Sequence, residues 1–282
     1  MLSYRHQFHA GNHADVLKHV VLVALLRALT RKDKPLCYLD THAGRGTYPL
    51  PPPGGSPAPE WPDGLGRIFA VDDLPGPVAD WLRIVRECAG GGDDVRHYPG
   101  SPMFAARVLR PRDRLILSEL HPADAETLIA AFADDARVEA DRRDGHAQIT
   151  RSLPPRERRA LLLVDPAYER REEIEAVRRT VDTALARLAH ATIALWYPIT
   201  RTSGCERLLA APPGPEGTPL LQVEIAVRPR DNPIGLNGSG LLIWNPPFGL
   251  DTTLGECLPW LAARLDQGGG GEWCLEWRCA PT

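Results

Sequence analysis

Five consecutive apolar residues, Ala160-Leu161-Leu162-Leu163-Val164, closed by Asp165-Pro166, constrain this chain more than any other feature. A strand with no polar residue on either face has to be covered on both. That is the condition of a central strand in a parallel sheet sandwiched between helices. The surrounding pattern agrees. Short apolar runs at 35–40, 113–120, 136–145, 160–166 and 191–198 alternate with helical spacing at 14–30, 101–110, 122–133, just after 145, and 171–189. The alternation predicts a mostly parallel, Rossmann-like α/β sheet. Two further runs, 219–227 and 240–247, flank a turn rich in Gly and Asn and predict a C-terminal antiparallel hairpin. Residues 250–265 read as one helix, and 272–279, EWCLEWRC, fit either regular structure.

In such a sheet, ligands sit at the C-terminal ends of the strands. Asp40, His42, Gly44 and Gly46 follow the first strand, Glu119 the second, Asp144-Gly145 the third and Asp165 to Tyr168 the fourth. The segment LDTHAGRG offers a tight turn where backbone can approach a ligand closely. Neither the G-x-x-x-x-G-K phosphate loop nor a full G-x-G-x-x-G is present, which argues against ATP and dinucleotides. An acid after the second strand suits ribose hydroxyls. S-adenosylmethionine carries a ribose and an adenine but no phosphate. Singly, each of these acids is more often a helix cap or a solvated turn residue. Together, at successive strand ends, they favour a methyltransferase.

Glu119 follows Gly46 by 73 positions, far more than one crossover helix needs. Residues 47–98 therefore read as an inserted, helical subdomain, and 1–46 with 99–282 as one methyltransferase domain. The insertion opens on 49–64, in which seven of sixteen residues are Pro, so regular structure is not expected there. Helical spacing returns at 75–88. A length of 282 residues suits one α/β domain carrying an insertion.

Asp165-Pro166-Ala167-Tyr168 looks like the [DNS]-P-P-[YFW] motif of enzymes that methylate exocyclic amino groups, with one proline missing. A full copy, Asn245-Pro246-Pro247-Phe248, comes later. The N6 lone pair of adenine is delocalised into the ring and is a poor nucleophile. Two acceptors placed on its N–H bonds draw it toward tetrahedral geometry, and an aromatic ring stacks on the extruded base. Asp165, the Pro166 carbonyl and Tyr168 supply these parts. Ala167 costs rigidity rather than a chemical group. The later copy ends a hairpin strand, so there the prolines are expected to stop the strand and Phe248 to pack in the core.

A net charge of −3 gives no general reason to bind nucleic acid. Locally the balance reverses, since residues 1–34 hold six Lys/Arg against two acids. Tyr4, Arg5 and Lys18, with Tyr168, are the candidate RNA contacts; the first three and His19 are expected to face the same mouth as Asp165, and Asn12 or His13 could cap the helix. Four histidines (His6, His9, His13, His19) lack the spacing and partners of a metal site, so no metal is expected. Six cysteines without a C-x-x-C, and no signal peptide at the start, read as reduced thiols in a cytoplasmic protein. The most apolar helix candidate carries Lys18 and Arg27, too close together to span a bilayer.

The stretches MLSYRHQFHAGNHADVLKH, YLDTHAGRGTY, YPGSP, SELHP, DPAYE, ALWYP and NPPF, in this order, resemble the RlmJ family of bacterial 23S rRNA adenine-N6 methyltransferases over nearly the whole chain. The resemblance implies a monomeric enzyme acting on one adenine of 23S rRNA with S-adenosylmethionine as cofactor. It implies that His19, His42, Ser101, Glu119, Asp144, Gly145 and Asp165 contact the cofactor or line its pocket, with Gly44 in the glycine turn. Asp165 would be the catalytic acceptor and Tyr4 would touch the RNA. Ala167 departs from the family's proline, and Arg45 and 49–64 also diverge. An amino-group methyltransferase acting on DNA adenine, and a non-catalytic RNA-binding protein that keeps the cofactor fold, are the alternatives. Offering both nucleic acids separates the first, and methyl transfer itself the second.

Overall fold

The computed structural model describes residues 6–52, 58–89, 95–169, 172–233, 235–268 and 270–281. One eight-stranded sheet runs through it. The strands are β1 (Cys37–Asp40), β4 (Arg114–Glu119), β5 (Val138–Arg142), β6 (Ala160–Val164), β7 (Thr192–Ile199), β8 (Leu220–Ala226), β9 (Gly238–Trp244) and β10 (Glu272–Cys279), in the spatial order β10-β8-β9-β7-β6-β1-β4-β5. The five strands from β7 to β5 are mutually parallel, and β9, β8 and β10 are antiparallel. β8 and β9 form the expected hairpin. The ambiguous run at 272–279 becomes the antiparallel edge strand. The chain builds outward from β1 to β4 and β5, then returns to β6 and β7 on the other side. The sheet therefore reverses between β1 and β6, and a ligand crevice opens at such a point.

Strand alternation assigns the two cores. Tyr38, Leu115, Leu117, Leu161 and Leu163 pack on one face with α1 (His13–Thr30), α3 (Ser101–Val108), α4 (Pro122–Ala131) and the pair α8 (Leu250–Gly255) and α9 (Leu258–Leu265). Leu39, Ile116, Leu162 and Val164 pack on the other with α5 (Gly145–Ser152), α6 (Glu172–Arg187) and Leu208 of α7 (Glu206–Ala210). The single helix expected over 250–265 is two, because the backbone turns at Glu256-Cys257 and Pro259 restarts it.

Helix α1 is buried almost all round, with Leu17, Leu22, Leu25 and Leu26 fully enclosed. The cover comes from residues 47–99. Here β2 (Thr47–Pro49) pairs antiparallel with β3 (His97–Pro99), and α2 (Gly76–Cys88) lays the fully buried Trp81 against the same core as α1. The proline-rich stretch is thus not wholly irregular. Pro49 belongs to a strand and Trp61–Asp63 make one 3-10 turn. Among the described residues no helix is long and apolar enough to cross a membrane.

Candidate active site

The five parallel strands deliver their C-terminal ends to one cleft of about 850 Å³. After β1 the chain turns through Gly44 and Gly46, both in the left-handed region at φ 62° and 83°. The Gly44 N–H donates to Glu119 Oε2 at 2.8 Å, and the His121 N–H to Oε1 at 2.7 Å. Glu119 is therefore fixed by two turns, while each oxygen keeps a further lone pair. Burial raises its carboxyl above the ordinary range. Asp144 caps α5 through Oδ1, accepting from His146 N at 2.9 Å. Gly145 is required by close approach, because a Cβ there would lie 2.0 Å from the Thr41 carbonyl oxygen. Desolvation pushes His42 down to about 3, so its ring is a neutral wall of the cleft.

Beneath the glycine turn lies Asp40, buried and accepting from the Tyr38 hydroxyl (2.7 Å), the Ser101 hydroxyl (2.7 Å) and His42 N (3.2 Å). Burial pushes this carboxyl up to about 6 despite three donors. Ser101 is thereby anchored with its α3 start at the cleft wall.

Asp165 follows β6, next to the point where the sheet reverses. Its Oδ2 accepts from Lys18 Nζ at 2.7 Å, and the same ammonium lies 2.8 Å from Asp15 Oδ1. Burial alone would discharge Lys18, but Asp15 and Asp165 outweigh it and hold the ammonium well above its usual range. Asp15 is in turn fixed by Gly11 N (3.0 Å) and His6 Nε2 (2.9 Å), and Asn12 caps α1 by accepting from Asp15 N. Tyr168 stands at φ 54°, its hydroxyl donating to the Trp196 carbonyl at 2.8 Å and its ring 6.1 Å from the indole. Asp165, Pro166, Ala167 and Tyr168 all line the cleft.

The N-terminal cations behave differently from the charge pattern. Lys18 is 5 % exposed and committed to two carboxylates, so it is no open phosphate contact. His19 is buried, and burial drives its imidazole well below the usual value, leaving it neutral. Its Nδ1 is 2.8 Å from the Tyr98 hydroxyl, while Nε2 has no hydrogen-bond partner among the described residues and its ring lines the cleft. Tyr4 and Arg5 lie outside the described residues.

The second tetrapeptide is at the opposite end of the sheet. β9 runs against β7 with Trp244 beside Ile193, so Asn245 sits where the parallel strands begin. Its amide donates to the carbonyls of Ala189 and Ala191, both at 2.9 Å, and holds a φ of 48°. Phe248 does not pack in the core as expected. It is 101 % exposed, because the turn after Pro247 points it into solvent.

Nothing in the sequence marks Asp15 beyond its place three residues before Lys18, the spacing of neighbours on a helix face. Trp196 lies in ALWYP, one of the stretches that carry the family resemblance, but nothing in that stretch marks a contact with Tyr168. Among the described residues no group of three His, Cys, Asp or Glu side chains is placed to hold a metal.

The pieces fit S-adenosylmethionine: rigid acceptors at Glu119 and Asp144 for hydroxyls and amines, a close backbone turn, an unpartnered imidazole nitrogen and no phosphate cradle. A Rossmann-like sheet whose cleft joins such a pocket to an Asp-Pro acceptor pair defines a class, the methyltransferases that draw their methyl group from S-adenosylmethionine. Comparison with known proteins narrows the class. Residues 33–279 match the family described as ribosomal RNA large subunit methyltransferase D, RlmJ. Curated relatives named ribosomal RNA large subunit methyltransferase J, from Haemophilus influenzae and from Escherichia coli, are each 40 % identical over 277 residues, covering 98 % of this chain and 99 % of theirs. A crystal structure of a Legionella pneumophila protein superposes with a TM-score of 0.86 at 32 % identity, covering 95 % of this chain and 98 % of that one. The chain belongs to the RlmJ family of methyltransferases, and its cofactor is S-adenosylmethionine.

Proposed function

We propose that this enzyme methylates N6 of one adenine in 23S rRNA, with the target base turned out of its helix into the cleft. The observation that carries the reading is Asp165-Pro166-Ala167-Tyr168 opening from the central strand into the same cleft as the glycine turn, Glu119 and Asp144. Relatives named as ribosomal RNA large subunit methyltransferases support the RNA substrate.

When bound, the cofactor supplies an electrophilic methyl group on a positively charged sulfur. Glu119 would accept from its ribose hydroxyls and Asp144, with Gly145, would flank its adenine. His19, His42, Gly44 and Ser101 would shape the pocket around the rest. Lys18 occupies Asp165 Oδ2 and so fixes the carboxylate plane, leaving Oδ1 to accept one N6 hydrogen. The Pro166 carbonyl accepts the other. With both N–H bonds held, the N6 lone pair would be drawn out of conjugation and turned toward the cofactor pocket, and the proton that N6 gives up would leave along its hydrogen bond to Asp165 Oδ1. Tyr168, locked through Trp196, offers its ring to the base. Residues 47–98 act as an inserted subdomain that walls the N-terminal side of the mouth, its Tyr98 bracing His19. Tyr4 and Arg5 are proposed RNA contacts.

Mapping N6-methyladenine in 23S rRNA from cells with and without the gene tests the reading. One adenine should lose its methyl group in the deletion and regain it with the wild-type gene but not with Asp165→Ala. An unchanged map would overturn it. DNA offered beside rRNA to the pure enzyme should stay unmodified.

A further inference from the structure

The substrate side of the mouth has a wall that the chemistry above does not use. It is built from the loop after β7, where Thr200, Thr202 and Ser203 line the cleft, and from the β8–β9 connection, where Gly235 and Leu236 line it. Both lie beyond Asp165 on the side of the sheet away from the glycine turn, because β7 and β9 follow β6 in that direction.

One buried residue binds the two loops into a platform. Asn237 is fully buried. Its N–H donates to the Ile199 carbonyl at 2.9 Å, and its own carbonyl accepts from Val227 N (2.8 Å) and Arg228 N (3.1 Å). Its side-chain amide donates to the carbonyls of Arg230 (3.2 Å) and Asn232 (2.9 Å). The end of β7 and both arms of the connection are thus fixed to one another.

Two cations stand on this platform. Arg201 lies exposed between the cleft-lining Thr200 and Thr202. The Arg228 guanidinium lies against Gly235, where an added Cβ would come within 3.4 Å of Nη1, and its charge helps lower the buried His13. Neither guanidinium makes an ion pair or a side-chain hydrogen bond with a described residue. Arg230, two positions on, is by contrast committed to Glu224 at 2.7 Å and Glu272 at 3.3 Å. In a chain of net charge −3, two uncompensated guanidinium groups on a rigid rim beside the acceptor pair have a natural complement in phosphate.

We propose that Arg201 and Arg228 seat the sugar-phosphate backbone flanking the extruded nucleotide. This rests on the reading that the substrate is RNA. Phosphates held on a rim that Asn237 makes rigid would set how deep the base enters toward Asp165, a role separate from cofactor binding and from the N6 acceptors.

The test is binding of a protein-free 23S rRNA transcript over a series of salt concentrations, with methyl transfer measured on the same samples. Losing two phosphate contacts should make the slope of log affinity against log salt shallower by about 1.4–1.8 in R201Q/R228Q. R201K/R228K should recover most of the slope, because lysine keeps the charge. Arg156→Gln serves as control. It removes one positive charge, half of the double variant's loss, at the far end of the sheet, where Arg156 is 79 % exposed beside Glu157, so a fall half as large in this control already counts against the rim. S-adenosylmethionine affinity should stay the same in all variants, which also reports an intact cleft. An unchanged slope in R201Q/R228Q, or such a fall in Arg156→Gln, overturns the rim. If the wild type binds with the expected slope but methylates nothing, the rim stands and the N6 reading falls. If it methylates and the double variant keeps the full slope, the reverse holds.

Discussion

The two tetrapeptides of this chain place nearly the same letters at opposite ends of one sheet. Asn245-Pro246-Pro247-Phe248 matches the motif better, yet its amide is spent on the carbonyls of Ala189 and Ala191 and its aromatic ring points into water. Asp165-Pro166-Ala167-Tyr168 matches worse, yet its carboxylate is held by a buried ammonium and its ring by a backbone carbonyl, both at the wall of a deep cleft. A motif is a set of groups, and the strand end on which it falls decides what the groups can reach. The side-chain amide that could have held a substrate amine instead closes off two strand-start carbonyls.

The largest expected effect breaks this comparison outright. Asp165→Ala should lower methyl transfer about 10²- to 10³-fold, as loss of a positioned electrostatic contact to the reacting group does. It also leaves Lys18 with Asp15 alone, so Asp165→Asn, which keeps an oxygen acceptor and the side-chain volume, is the companion that separates folding from chemistry. Asn245→Ala should keep turnover within a factor of about three. Its cost is stability, roughly 2 kcal/mol from two lost hydrogen bonds and a left-handed φ that Ala tolerates poorly. Urea melts and single-turnover methylation on the same samples decide. A stable, inactive Asn245→Ala would reverse the assignment.

The aromatic positions sharpen the contrast. Tyr168→Ala should reduce kcat/KM about 10- to 100-fold, since stacking on one base contributes roughly 1–3 kcal/mol. Phe248→Ala should change neither activity nor stability by more than about 0.5 kcal/mol, the usual range for an exposed side chain. If Phe248→Ala lost activity at constant stability, the far end of the sheet would be a substrate surface after all.

Acid should separate the two ends as well. Burial drives His13 to about 4 and His42 to about 3, while the unfolded chain titrates them near 6.5. Native imidazoles that stay neutral while unfolded ones take protons lose stability as pH falls from about 6.5 toward 4. Asp40 works oppositely, because its native carboxyl titrates near 6 against 3.8 unfolded, and it stabilises on acidification over about 6 to 4. Glu119, also raised by burial, acts in the same direction as Asp40, and the three buried imidazoles His13, His42 and His19 outweigh these two carboxyls. Amide protection at pH 6.5 and 4.5 should therefore fall first around 13–19 and 41–44. The segment 189–193 beside Asn245, whose one histidine, His190, is exposed, should keep its protection. Uniform loss would place the acid-labile groups elsewhere.

The sheet was legible because its strands announce themselves twice, in apolar runs and in the turn residues that close them. Glu119, Asp144 and Asp165 could be named because strand ends in a parallel sheet all face one way. Other features depend on contacts across the chain. The pairing of Lys18 with Asp165 joins positions 147 residues apart, and only the packed helix α1 reveals that this lysine is buried rather than presented to phosphate. The run that becomes β10 fits helix and strand alike, because an edge strand with one covered face mixes Trp, Glu and Arg in no clean period. The strand in the proline-rich segment was hidden because Pro49 needs no ladder donor when its strand is two-membered and short.

The smallest expected effect concerns the letter that set the two motifs apart. Ala167→Pro restores the motif's second proline at the proposed site. It lies exposed in the connection between β6 and α6, outside any helix or strand. No described hydrogen bond uses the Ala167 N–H, so losing it leaves no acceptor unpaired. What changes is chiefly the unfolded chain, which loses freedom worth about 0.4–1 kcal/mol. Ala167→Pro should therefore raise the melting temperature by a few degrees and leave kcat within a factor of about two, measured by calorimetry and by single-turnover methylation. A fall of tenfold or more in kcat would mean that Asp165 and Tyr168 depend on an Ala167 backbone that proline cannot adopt, and that the turn here has diverged from the Pro-Pro geometry rather than merely loosened it.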